Sequence, residues 1–272
     1  IKFQIEIHTA PVWVKDWSLA PDIFNTAPMF FLSTDLPEND HLSKTICHKL
    51  YDGNESTKLA QYILLGKGGA KLLDELNFER DVYHLNEAHG LPAAFHLLKK
   101  FNGDLGKVKE KLVFTTHTPE EAGNEKHNMN LCYDMTYFSG YSIDEVKNIG
   151  GVQGDMFNHS LCALKMARLA NGVSKLHGVV SRDMWGKYPG ICEITSITNA
   201  QEFKYWGDKP LYASKEEKED PTFDARKKHL KKRLFQVVAD QTGKLFDPNV
   251  LTIVWARRFA GYKRADLLLK DK

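Results

Sequence analysis

Ile1, Phe3, Ile5 and Ile7 alternate with polar residues, the period of a half-buried strand. The run APMFFLST predicts a further strand, so residues 1–34 read as strands ahead of the polar turn TDLPEND. Residues 55–76, ESTKLAQYILLGKGGAKLLDEL, carry helical spacing interrupted by glycines. Residues 80–100 read as strand, loop and helix, and KLVFTTHTPEEAGNE (111–125) as an apolar strand ending in His117 and a proline-containing loop. Residues 127–149 predict short helices. In MFNHSLCALKMARLANG (156–172), Leu161, Leu164, Lys165, Ala167 and Leu169 predict one helix that Asn171-Gly172 stops. VSKLHGVVSRDMW predicts a short strand and a helix, and ITSITNA (194–200) a strand with a polar end. Leu230, Leu234, Val237 and Val238 fall at helical spacing behind the charged stretch 214–233, with Gly243 as the C-cap. The basic run there reads as a solvated helix face in preference to an anion patch. NVLTIVWARRFAGYKRADLLL closes the chain as strand (Leu251 to Trp255), basic loop and helix.

Strand, loop and helix recur, with polar residues after the strands. That order predicts an α/β fold with a mostly parallel sheet, whose ligands sit beyond the carboxyl ends of the strands. A change of domain is expected within residues 198–245, where a long charged stretch separates two sheet-like regions. Near-balance of 37 basic against 35 acidic residues argues against duplex DNA or an anionic membrane as the main partner. No apolar run approaches the ~20 residues of a membrane span, and no signal peptide is recognised. The four cysteines are widely spaced without a CxxC, which suits reduced thiols and a cytoplasmic location. An opening without Met, inside a strand pattern, and a close just after a helix begins lead us to expect a fragment of a longer protein.

The loop ARRFAGYKRA (256–265) places Arg257, Arg258, Lys263 and Arg264 in one strand-to-helix turn. Four cations near a helix N-terminus suit a phosphate, with surface charge around a turn as the alternative. Neither a Walker loop nor a GxGxxG fingerprint is present. GKGG (66–69) lacks Walker spacing and reads as close helix packing. HLNEAHG (84–90) brings His84, Glu87 and His89 close in sequence, but HExxH and HxxEH are both absent, so no metal is expected. A sugar-binding or acid/base role for Glu87 and His89 needs a partner loop. TTHTP (115–119) supplies one in His117, and parallel topology would bring both strand ends and the cationic one to a single rim.

YHLNEAHG, VFTTHTPEEAG, LANGVSKLHGVVSRDMW, ITSITNAQEFKYW and WARRFAGYKRADLLL stand in the order and rough spacing found in the α-glucan (glycogen, maltodextrin, starch) phosphorylases. LYDGNESTKLAQYILLGKGGAKLL resembles that family's preceding loop and helix. The resemblance covers nearly the whole chain and is closest to the short bacterial and archaeal type. It implies a Rossmann-like first domain with the beginning of a second, residues 1–198 and 199–272. It also implies release of glucose 1-phosphate from a terminal α-1,4 bond by inorganic phosphate, with retention. Pyridoxal 5'-phosphate, held by a Schiff-base lysine in the second domain, would contribute its own phosphate as a proton relay. That lysine would lie beyond this chain, which alone is expected to be inactive.

By motif match, Arg258 and Lys263 resemble residues that hold the substrate phosphate, and Arg257 and Lys263 lie near the cofactor phosphate. His117 resembles the residue whose ring meets the glucosyl 6-hydroxyl and whose carbonyl faces the developing oxocarbenium ion. Asn199 resembles a second contact to that hydroxyl. Glu87 and His89 match the acceptor side of the glucan cleft, and Tyr51 and Lys58 align loosely with a gate loop over it. Ala200 stands where the family reads glycine, which at positive φ would cost about 1 kcal/mol. Members are commonly homodimers, so a homodimer is a possible partner state. A nucleotide-sugar-dependent retaining glucosyltransferase of the glycogen synthase kind, and a glucan-binding module, are the alternatives.

Overall fold

A computed structural model describes residues 2, 4–9, 28–50, 52–78, 80–201, 206–218, 220–257 and 263–270. The chain divides into two compact units, Ile1–Asn199 and Ala200–Lys272.

The first unit opens with β1 (Gln4–Thr9) antiparallel to β2 (Pro28–Ser33). Asp40 caps α1 (His41–Thr45), and Asn54 caps α2 (Glu55–Ile63) by accepting from the Thr57 N–H. A π-turn at Leu64–Gly68 joins α2 to α3 (Gly69–Glu75). At Gly66 an added Cβ would lie 2.7 Å from the Gly90 carbonyl oxygen and 2.8 Å from the Ala93 nitrogen. Only glycine permits that approach, which fits the packing reading of GKGG.

β3 (Tyr83–Asn86), α4 (Pro92–Lys100), α5 (Leu105–Lys111) and β4 (Leu112–Thr116) follow. Pro92 starts α4, where its missing N–H costs nothing. β5 (Lys126–Asn128), α6 (Met129–Asp134), α7 (Ile143–Gly150) and β6 (Met156–Asn158) come next, and β5 pairs antiparallel with β6. Then come α8 (His159–Met166), β7 (Leu169–Gly172), α9 (Lys175–Trp185) and β8 (Glu193–Ser196). The central sheet is all parallel in the order β3-β4-β7-β8 and is flanked by helices, the Rossmann-like arrangement. Its core holds Leu85, Phe114, Ala170 and Ile194 from the strands, against Leu97, Val108, Leu161 and Leu164 from the helices. Phe95, Tyr137, Phe138 and Phe157 meet edge to face beside it.

The expected helix over 156–172 is three elements. The helix ends at Met166, Ala167 turns extended, and Arg168 donates to the Leu112 carbonyl at 2.9 Å. Leu169–Gly172 then pairs with β4 and β8 as an inner strand. The apolar run carries both periods, and pairing between flanking strands decides it. The short strand expected at VSKLHG is this one, displaced earlier. All four cysteines are free, and burial pushes Cys132 and Cys162 up to about 12.

In the second unit, the helix Asp220–Thr242 ends at Gly243 with φ +71°, as the C-cap reading requires. Asp208 caps the helix Lys209–Glu216 and receives two bonds from the Arg226 guanidinium, at 2.8 and 2.5 Å. The strand expected over Leu251–Trp255 does not form among the described residues. Leu251, Ile253 and Val254 are 85%, 67% and 64% exposed. A strand needs a hydrogen-bonding neighbour, and the described residues of this unit supply helices only.

Candidate functional site

Parallel pairing sets Asn86, Thr116, Gly172 and Ser196 at one end of the sheet. Glu87 follows β3, His117 follows β4, and Asn199 follows shortly after β8. The Glu87 N–H donates to the Thr115 carbonyl at 2.9 Å. Its carboxylate Oε1 accepts from the His117 main-chain N–H at 2.5 Å and from the Thr118 hydroxyl at 3.1 Å. Glu87 itself has φ 63° and ψ 169°, a region that is essentially reserved for glycine and costs about 1–3 kcal/mol. Three hydrogen bonds to neighbouring chain hold it there.

His117 Nε2 lies 2.6 Å from Asn86 Oδ1. An amide oxygen only accepts, so the ring donates from Nε2. Further in, the Thr115 hydroxyl donates to Asn171 Oδ1 and therefore accepts from His84 Nε2, both at 2.7 Å. His84 is thus tied across the sheet rather than grouped with His89. Among the described residues no three His, Cys, Asp or Glu side chains could hold a metal ion.

Asn199 is exposed, and its N–H donates to the Val173 carbonyl at 3.0 Å. The Val173 N–H donates to His177 Nδ1 at 3.1 Å, so the His177 proton is on Nε2. Burial holds His177 below its ordinary range, against the opposing pull of the Thr118 main chain and Glu87. A Cβ on Gly172 would lie 3.0 Å from the Gly178 nitrogen, so the start of α9 presses directly on the end of β7. No Ala200 strain arises, since its φ is not positive.

His89 sits half-buried in the turn Ala88–Gly90 with its ring against Tyr62. Lys58, on α2, pairs with Glu125 at 3.3 Å. Arg257 is exposed and Lys263 half-buried, both in the second unit. Tyr51 and Arg258 lie outside the described residues. Sequence reasoning did not single out Thr118, His177 or Tyr62. All of these stood inside quoted motifs, Tyr62 only as one apolar position of a helix.

No protein-family model matches the chain. An uncharacterized protein of Methanocaldococcus jannaschii is 42% identical over all 272 residues, which cover 51% of its length. The maltodextrin phosphorylase of Thermococcus litoralis is 30% identical, over 89% of this chain and 35% of its own. The glycogen phosphorylase of Aquifex aeolicus is 27% identical, over 89% of this chain and 43% of its own. The chain is homologous to the maltodextrin and glycogen phosphorylases. It spans about half the length of the first relative and 35% and 43% of the two phosphorylases. The rim of this phosphorylase homologue offers the polar side chains of Asn86, His117 and Asn199 as hydrogen-bond partners, while the Glu87 carboxylate is already engaged by the neighbouring loop. Among the described residues, no helix is long and apolar enough to cross a membrane.

Proposed function

We propose that this chain is the glucan-binding side of an α-1,4-glucan phosphorylase, a glycosyltransferase that releases glucose 1-phosphate from glycogen or maltodextrin with inorganic phosphate. The observation that carries the reading is the Asn86–Glu87–His117 brace at the strand ends of a phosphorylase homologue. The brace fixes His117 by both its main chain and Nε2. The other ring nitrogen of His117 bonds a glucosyl hydroxyl, Asn199 makes a second contact, and His89 lines the acceptor side. Residues 1–198 form part of the glucan domain, and residues 199–272 begin the cofactor and phosphate domain.

Arg257, Arg258 and Lys263 hold the phosphates. Arg257 and Lys263, the two described, carry the charge that a phosphoester such as pyridoxal 5'-phosphate needs, so these residues fit that cofactor. When bound, the cofactor supplies a phosphate for proton transfer. The protein's own cations offset repulsion between that phosphate and the substrate's.

Calorimetric titration with maltoheptaose tests the reading. Binding is expected, weakened about tenfold in His117→Ala through loss of a hydrogen bond to the sugar. Absence of heat overturns it, and heat with a nucleotide-sugar alone identifies a synthase-like transferase instead. With pyridoxal phosphate, maltodextrin and phosphate added, the 272-residue chain by itself is expected to release no glucose 1-phosphate.

A further inference from the structure

The ring of His89 lies nearly parallel to Tyr62, with centroids 4.8 Å apart and planes 27° from each other. Tyr62 comes from α2, far from His89 in sequence, and is 9% exposed. Its hydroxyl donates to Glu125 Oε2, and Glu125 Oε1 pairs with Lys58 Nζ at 3.3 Å. Burial raises the Glu125 carboxyl, but the Tyr62 hydroxyl and Lys58 together bring it below its ordinary value.

The Tyr62 ring also meets two buried histidines in near-perpendicular pairs, His127 at 6.3 Å and His159 at 6.0 Å between centroids. Those histidines are themselves fixed. His127 Nδ1 and His159 Nε2 are 2.8 Å apart, and His159 Nδ1 is 2.8 Å from the Tyr137 hydroxyl. Tyr62 is therefore held at its hydroxyl by an ion-paired carboxylate and at its ring by a buried polar network. A ring fixed on two sides is a rigid platform, and a side chain stacked on it loses little freedom when a ligand arrives.

We propose that Tyr62 is a positioning residue that sets the plane of the His89 ring at the glucan cleft, with Glu125 and Lys58 as its anchor. The role rests on the glucan reading of the site. It also gives Lys58 a different task from a direct glucan contact: its ammonium is engaged by Glu125, one step behind the cleft wall.

The test combines histidine NMR with maltoheptaose titration of the 272-residue chain and its variants. Stacking on Tyr62 is expected to move the His89 ring-proton resonances upfield. Tyr62→Leu should return them downfield and weaken maltoheptaose three- to tenfold, the worth of an aromatic pair. Tyr62→Phe keeps the stack without the Glu125 bond, and should retain most of the shift and a smaller loss of affinity. Lys58→Met should behave like Tyr62→Phe, which keeps the proposal testable if Tyr62→Leu does not fold. His89 resonances that ignore Tyr62→Leu, or that move with no change in affinity, overturn the proposal. A wild-type chain that does not bind maltoheptaose overturns the glucan reading instead, and the histidine resonances keep the two failures apart.

Discussion

The carboxylate of Glu87 accepts a 2.5 Å hydrogen bond from the main-chain N–H of His117, tying together the loops that leave two adjacent parallel strands. The same residue holds φ 63°, so the brace also stabilises its own unfavourable backbone. Side chain and backbone therefore make opposite predictions on substitution. Glu87→Gln keeps an accepting oxygen and should lose little. Glu87→Ala loses the bonds and keeps the strain. Glu87→Gly loses the bonds but relieves the strain, and should be more stable than Glu87→Ala by about 1 kcal/mol. Urea unfolding of the three variants measures the order.

His159 is buried, and burial first, with His127 and His89 adding to it, holds it well below its ordinary 6.5. His127 is lowered too, chiefly by burial, with Glu125 opposing. Both are held toward the neutral form in the fold, and both become charged in the unfolded chain below about 6.5. The unfolded state then binds more protons, so their contribution is complete above that pH and is lost as pH falls below it. For His159 the loss approaches about 1.4 kcal/mol per pH unit. Urea midpoints should fall from about pH 7.5 to about 5.5, and His159→Phe should flatten the slope while lowering stability at the upper end.

Gly66 and Gly69 share one short motif and should respond oppositely to alanine. A Cβ at Gly66 would collide with main-chain atoms at Gly90 and Ala93, which cannot swing aside. Overpacking of this kind costs about 1–3 kcal/mol. A Cβ at Gly69 meets nothing within 4 Å and lies in a helix, so Gly69→Ala should be neutral or stabilising by up to about 1 kcal/mol. Thermal unfolding of the pair decides it.

In the second unit, the Arg226 hydrogen bonds hold the Asp208 carboxyl down to about 2. The pair should therefore persist from neutral pH down past the ordinary 3.8 and fail as pH falls through about 2. Asp208→Asn removes both the ion pair and the charged cap. Hydrogen exchange should speed up along Lys209–Glu216 and stay unchanged in β3 and β4.

The residues at the ends of β3 and β4 were legible because short apolar runs gave way to clusters of Asn, Glu, His and Thr, and a parallel sheet puts such ends on one edge. β7 was not. Ala167 and Leu169 continue a helical spacing, and only the partners at Leu112–Thr116 and Glu193–Ser196 make the segment a strand. Leu251–Trp255 fails in the opposite sense: it has strand composition but no neighbouring strand among the described residues.

By itself, then, the sequence determined which residues prefer to be buried, where strands give way to polar turns, and the likeness to phosphorylases. These are properties of local composition and order. Tertiary structure decided what those residues do to one another. It turned Glu87 into a brace for His117, set Lys58 on Glu125, and laid His89 on Tyr62. Each of these contacts joins positions far apart in the sequence, and no local period records a distance closed only by packing.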